Sequence, residues 1–242
     1  MLRLCVAGAA GKMGSTILRE AVNKGFQIVG AVVSPHNVNI LKSLREAGIC
    51  ESDVKLMGPS NLKKAIEKAD VYISFTTPAA EAHNLPIVAD VGKKIVMGTT
   101  GFTKEQMRKI QNAVSSKVPA VFSPNFALGV NILFRLTQVC KSFPPEYDFS
   151  IMEAHHTGKR DAPSGTAKKL GEIVSSIRDY SKVIHGREGL SPRIPEELEI
   201  LSVRTGGVIG MHNLIIAGPY EMVRIEHVAF SRSVFAQGAL YA

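Results

Sequence analysis

Residues 2–33 run in a fixed order: a short apolar stretch (LRLCVA), a turn holding three glycines, an amphipathic stretch, and a second apolar run. No other part of the chain restricts its fold as much. Met13, Ile17, Leu18, Ala21 and Val22 recur at helical spacing between the two apolar runs, so the order is strand, turn, helix, strand. This opens a βαβ unit whose glycines admit a pyrophosphate to the N–H groups at the helix start. Gly8, Gly11 and Gly14 depart from G-x-G-x-x-G, because Ala10 and Met13 occupy its second and third glycine positions. The same turn can serve a βα connection with no ligand. Lys12 within it favours the ligand, since its ammonium can reach a phosphate.

The alternation continues. Helical patterns are expected over 60–68, 79–91 (with a possible kink at Pro86) and 104–116, the last capped by Thr103 with Glu105 in its first turn. Strands are expected over 71–75, 94–97 and 120–122. Alternating βα units imply a Rossmann-like, doubly wound parallel sheet that binds ligands at the carboxyl ends of its strands. Thr76-Thr77-Pro78, Gly98-Thr99-Thr100 and Ser123-Pro124-Asn125-Phe126 leave such ends, either as ordinary turns or as the rim of a cleft.

An acidic residue after the second strand ordinarily binds the ribose hydroxyls of NAD. Here Val33 is followed by Ser34-Pro35-His36, with no carboxylate to repel a 2′-phosphate and with His36 and Lys12 to attract one. NADPH is therefore expected to serve at least as well as NADH.

After residue 126 the pattern changes. An apolar helix over 127–142 leads to a strand over 147–154 and a helix over 166–178. A charged, proline-bearing loop at 185–197 precedes strands over 198–204, 212–218 and 221–228. Strands that follow one another without helices indicate a second, α+β domain with an open mixed sheet. The expected division is 1–126, 127–230, and a helix over 231–242 returning to the first domain.

The formal charge of +8 suits nucleic acid, acidic membranes or small polyanions. Basic residues are scattered and tryptophan is absent, which disfavours a stacking platform for single strands. No module resembling a recognition helix is present. Cys5, Cys50 and Cys140 offer neither metal spacing nor a disulfide framework. With no signal-peptide pattern and no apolar run of spanning length, the expected compartment is the cytoplasm, without membrane partners.

The densest chemistry lies in Glu153-Ala-His-His-Thr-Gly-Lys-Arg-Asp-Ala-Pro-Ser-Gly-Thr-Ala167. A polar double bond accepts hydride more readily when a proton or cation neutralises the charge that develops, and His155, His156 and Lys159 supply both. Adjacent residues at a strand end point to opposite faces. One histidine is therefore expected to be the acid and the other a binder or orienter. Glu153 either orients an imidazole or pairs with a base. In the helix-opening turn, the N–H groups of Gly165 and Thr166 and the Thr166 hydroxyl suit a carboxylate. The lone histidines His83, His185, His212 and His227 are read as structural. The set fits reduction of a small acidic substrate.

This motif, together with Val6-Ala-Gly-Ala-Ala-Gly-Lys-Met-Gly14, Phe75-Thr-Thr-Pro78, Gly98-Thr-Thr-Gly101 and Asn125-Phe126, resembles the dihydrodipicolinate (4-hydroxy-tetrahydrodipicolinate) reductase family of the diaminopimelate route to lysine. The resemblance spans nearly the whole chain. It implies NAD(P)H-dependent reduction of 4-hydroxy-tetrahydrodipicolinate to tetrahydrodipicolinate by a homotetramer whose second domain binds substrate and oligomerises. The cofactor would lie along Gly8, Ala9, Ala10, Gly11, Lys12 and Met13, along Gly98, Thr99 and Thr100, and along Ser123, Pro124, Asn125 and Phe126. His155 takes the family's proton donor/acceptor position, Lys159 its proton donor, and His156, Gly165 and Thr166 hold the substrate's carboxylates. Ser34 replaces the family's acidic ribose-binding residue. The family pattern also runs past the last helix, so the end at Ala242 is read as that of a short variant or a truncated chain.

Two other readings compete. One is another NAD(P)-dependent dehydrogenase, such as a semialdehyde or amino-acid dehydrogenase; a semialdehyde dehydrogenase acting through a thioester would need a thiol at the cleft beside a histidine, and no cysteine is so placed in the expected elements. A cofactor-sensing DNA-binding regulator would need clustered basic residues on a recognition helix.

Overall fold

Leu4 and Val6 face one side of the first strand and Cys5 and Ala7 the other, and all four are buried. A strand apolar on both faces belongs inside a parallel sheet covered by helices on each side. The computed structural model, which describes all 242 residues, builds that arrangement from β1 (Arg3–Ala7), α1 (Lys12–Asn23), β2 (Gln27–Val32), β3 (Leu56–Met57), α2 (Leu62–Ile66), β4 (Val71–Ser74), α3 (Pro78–Asp90), β5 (Lys94–Met97), α4 (Lys104–Val114) and β6 (Ala120–Phe122). The six strands are parallel in the order β3-β2-β1-β4-β5-β6. The order reverses between β1 and β4, where open sheets of this kind bind ligands. One core cluster joins Leu4, Val6, Ile17, Leu18 and Ile73; the opposite one joins Tyr72, Leu85, Val88, Ile95 and Ile110.

Local chemistry sets the helix ends. Gly25 adopts φ +77°, its N–H bonds the Val22 carbonyl, and the Phe26 N–H bonds that of Ala21, which closes α1 with a Schellman motif. Thr103 and Gln106 form a reciprocal capping box at the start of α4. Pro86 sits inside an unbroken α3. The expected helix over 60–68 is shorter, a 3₁₀ turn at Pro59–Asn61 followed by α2. Strand β3 has only two residues, too few to show a period.

The second unit, Ala127–Val234, contains α5 (Leu128–Val139), β7 (Asp148–His155), α6 (Gly165–Arg178), β8 (Lys182–Ile184), β9 (Glu197–Arg204), β10 (Gly210–Ala217) and β11 (Met222–Ala229). Its sheet runs β11-β10-β7-β9-β8, antiparallel across β11, β10 and β7 and parallel across β7, β9 and β8. On one face Phe149, Ile151, Ile200, Leu214 and Ile216 pack with Leu133, Ala167, Leu170 and Val174. The remaining helix, α7 (Ser233–Tyr241), starts two residues later than expected. Residues Phe235–Ala242 join Met1–Phe126 in the first unit, where Ala236 and Ala239 are buried in the core.

Candidate active site

Strand alternation places Glu153 and His155 on the same face of β7 as Phe149 and Ile151. The face that is apolar core at one end of the sheet is therefore polar at the other. Register aligns Ser202 of β9, Glu153, His212 of β10 and His227 of β11 in one row. Further along, His155 pairs with Arg204 of β9, and Gly210 of β10 lies beside the His155 ring.

Glu153 is fully buried and is the hub of this patch. Its Oε2 accepts from His155 Nδ1 at 2.5 Å and from Arg204 Nη1 at 3.0 Å. Its Oε1 accepts from Arg204 Nη2 at 2.8 Å and from the Ser164 amide at 3.1 Å. Burial alone pushes this carboxyl's pKa up, but hydrogen bonds from Arg204, His155, Ser202 and the Ser164 amide outweigh it and hold the pKa at about 2. A carboxylate only accepts, so Nδ1 of His155 carries a proton and Nε2 is the ring's free nitrogen. Burial lowers the His155 pKa, and the charges of Lys159 and Arg204 act in the same direction against the pull of Glu153. Gly210 makes room for the ring, since a Cβ there would lie 3.2 Å from Nε2.

The loop between β7 and α6 wraps this hub. The Lys159 amide bonds the His156 carbonyl at 3.1 Å, and Lys159 Nζ donates to Asp161 Oδ1 at 2.7 Å. Arg204 Nη2 also donates to the Asp161 carbonyl at 2.7 Å. Ser164 is the N-cap of α6, its Oγ accepting from the Ala167 amide at 3.2 Å. That hydroxyl also pairs with His212 Nε2 at 3.0 Å. Burial, then the neighbouring His155, lower the His212 pKa to about 3, so His212 is neutral beside the Ser164 hydroxyl. Gly165 and Thr166 open α6, where first-turn N–H groups point outward from the helix end.

Of the residues expected to act here, His155, Lys159, Gly165 and Thr166 lie on this one loop and strand end. His156 stands half-buried just past β7, beside Gly158 and outside the Glu153 hydrogen-bond set. The reading of residue types missed Arg204, Ser164 and His212 as members. In the sequence His212 reads as a lone structural histidine, and no local signal links it to a serine far upstream. The β7–β10 register sets His212 opposite Glu153, and the loop after β7 brings Ser164 back onto both.

In the first unit a cavity of ≈ 550 Å³ lies at the carboxyl ends of β1, β2 and β4. It is lined by Gly8, Ala10, Gly11, Ser34, Thr76 and Asn84, among others. A Cβ at Gly8 would collide with the Phe75 carbonyl and one at Gly14 with the Gly8 carbonyl, so this turn needs both glycines. No side chain caps α1 at Gly11, leaving its first amides for a ligand. These features fit a dinucleotide. Ala9 is fully buried, and Lys12 and Met13 begin α1 outside the cavity lining. Thr99, Thr100, Ser123 and Pro124 line a second cavity of ≈ 250 Å³. Gly98 lies under the Phe75 ring, Asn125 is half-buried, and Phe126 packs on Phe75 with centroids 5.8 Å apart. His83 also lines the larger cavity, which its structural reading had not anticipated.

No cysteine borders either cavity, and burial pushes the Cys5 thiol up to about 12. The thiol required by a thioester mechanism is therefore not at these sites.

Models of the N-terminal and C-terminal parts of dihydrodipicolinate reductase match residues 2–126 and 129–242. The 4-hydroxy-tetrahydrodipicolinate reductase of Methanosarcina barkeri is 39% identical over 100% of this chain and 92% of its own length. That of Methanopyrus kandleri is also 39% identical, over 100% of this chain and 90% of its own. The solved structure of a dipicolinate-bound dihydrodipicolinate reductase from Paenisporosarcina sp. TG-14 matches with a TM-score of 0.76 at 26% identity, over 100% of this chain and 92% of that one.

Proposed function

The chain belongs to the dihydrodipicolinate reductase family, and from that premise we propose how its residues divide the work of reducing 4-hydroxy-tetrahydrodipicolinate with a nicotinamide cofactor. The first unit holds the cofactor, with Gly8, Ala10, Gly11 and the start of α1 at the pyrophosphate. Ser34 stands by the adenosine ribose, where it tolerates NADPH as well as NADH. Thr99, Thr100, Ser123, Pro124, Asn125 and Phe126 complete the cofactor's surroundings. When bound, the reduced nicotinamide supplies the hydride; in the net reaction one hydride and one proton are taken up and the substrate's hydroxyl leaves as water.

The second unit handles the dicarboxylate. His156 and the α6 start at Gly165 and Thr166 hold its carboxylates, while His155 through Nε2 and Lys159 through Nζ deliver protons. The observation that carries this reading is the concentration of these groups at one strand end and helix start. There an anion-binding helix N-terminus and an imidazole with a defined free nitrogen share the Glu153 hub.

A homotetramer is supported by the other face of the second unit's sheet. It leaves Leu201, Val203, Met222 and Val228 exposed, an apolar surface suited to a second copy; light scattering across a concentration series measures the assembly. No helix is long and apolar enough to cross a membrane; the cytoplasm is proposed from the biosynthetic role of the relatives.

The test is Lys159→Ala, assayed by loss of absorbance at 340 nm with freshly made substrate. The expected result is a kcat lower by about 100-fold or more with NADPH affinity unchanged. Equal loss of cofactor binding would contradict the division of labour.

A further inference from the structure

Each oxygen of the Glu153 carboxylate accepts a hydrogen bond from an Arg204 nitrogen and a second one from the segment proposed to handle the substrate. On Oε2 the second donor is His155 Nδ1; on Oε1 it is the Ser164 amide that opens the carboxylate-binding turn. With the Ser202 hydroxyl as a further donor, the carboxylate is surrounded by donors alone. We infer that Glu153, clamped by Arg204, is a positioning residue for the reduction, holding His155 with Nε2 outward and anchoring the Ser164 turn so that proton delivery and carboxylate binding hang on one buried group. The inference deepens the reading above and rests on its assignment of proton transfer to His155 Nε2.

The geometry requires a carboxylate in particular. An amide of the same shape has one accepting end, and its NH₂ would face Arg204 together with either the Ser164 N–H or the His155 N–H, donor against donor. An uncharged group would also leave the Arg204 guanidinium, four-fifths buried, without its counter-charge. An ion pair that only fastened β7 to β9 would have no need of His155 on one oxygen and the Ser164 turn on the other. The charged and titratable groups around the His155 ring are Glu153 on its own strand, Arg204 on β9, His212 on β10, and Lys159 from the loop. Only Glu153 accepts a bond from the ring.

The experiment uses the full-length protein with ¹⁵N-labelled imidazoles. His155→Gln is measured first; if it keeps its kcat, the assignment of proton transfer fails, whatever Glu153 does. Given a loss there, Glu153→Gln is expected to lower kcat by about 100-fold and to raise the KM for the dicarboxylate, with NADPH affinity unchanged. The neutral His155 ring should lose its exclusive Nδ1–H signature, and the pH profile of kcat should move. Glu153→Asp should recover part of each. A folded Glu153→Gln variant with kcat within about twofold of the parent and an unaltered His155 tautomer would overturn the inference. Should that variant not fold, Arg204→Lys takes its place. It loosens the clamp and should shift both the His155 resonances and the pH profile; if neither moves, the inference is again overturned.

Discussion

Lys159 Nζ rests on Asp161 Oδ1 at 2.7 Å while Arg204 grips the carbonyl of the same aspartate. The residue proposed as proton donor is thus already paired with a carboxylate before a dicarboxylate substrate arrives. Substrate must compete for that ammonium. Asp161→Asn removes the competitor and keeps the backbone anchor, so KM for the substrate should fall by about two- to fivefold, the range of a partly exposed ion pair. Steady-state titration of the substrate at saturating NADPH measures it.

Cofactor choice should respond to one position. Ser34 is exposed on the rim of the larger cavity, where related folds carry an acid. Ser34→Asp places a negative charge where a 2′-phosphate would lie. The ratio of kcat/KM for NADPH to that for NADH should drop by about tenfold, given an unfavourable contact of ~1.4 kcal/mol between like charges near the surface. An unchanged ratio would mean that the phosphate is bound elsewhere.

The turn itself is sterically closed. Gly14→Ala drives a methyl into the Gly8 carbonyl, and relief means moving the turn or the helix start, at a cost of ~1–3 kcal/mol. Thermal denaturation should report the loss, and fluorescence titration should show weakened NADPH binding. Gly207→Ala, where an added Cβ meets nothing within 4 Å, is the matched control and should change neither.

Acid should destabilise the second unit in two stages. His212 has a pKa of about 3 when folded against an ordinary value of 6.5. Between these pH values the unfolded chain binds a proton that the folded one refuses, so stability falls as pH drops from about 6.5, by up to ~1.4 kcal/mol per unit from this group. Glu153, at about 2 when folded against an ordinary 4.5, adds a second loss as pH falls through that lower window. His212→Asn should flatten the upper stage in a pH series of urea melts and leave the lower one in place.

The parallel sheet was legible because its strands are apolar on both faces and its helices amphipathic, signals that survive in a single sequence. The short strands Leu56–Met57 and Lys182–Ile184 escaped because so few residues carry no period. The candidate site motif was legible because its residues are neighbours along the chain. Arg204 and His212 were not, because they meet Glu153 and Ser164 through strand register, a property of pairing between distant segments. His83 belongs to the same class, reaching the cavity by the direction of α3.

Gly238, on α7, packs so closely on the Phe126 carbonyl that any side chain there would collide with it, and Ala236 and Ala239 fill the core beneath. The first unit is therefore discontinuous, closed by residues translated after the whole of the second. On the ribosome its sheet must wait with that part of its apolar face open, through the synthesis of Ala127–Val234. A nascent chain of this protein holds a cofactor-binding half that is unfinished until translation reaches α7, and through that interval chaperone protection matters most for the α1 side of the sheet.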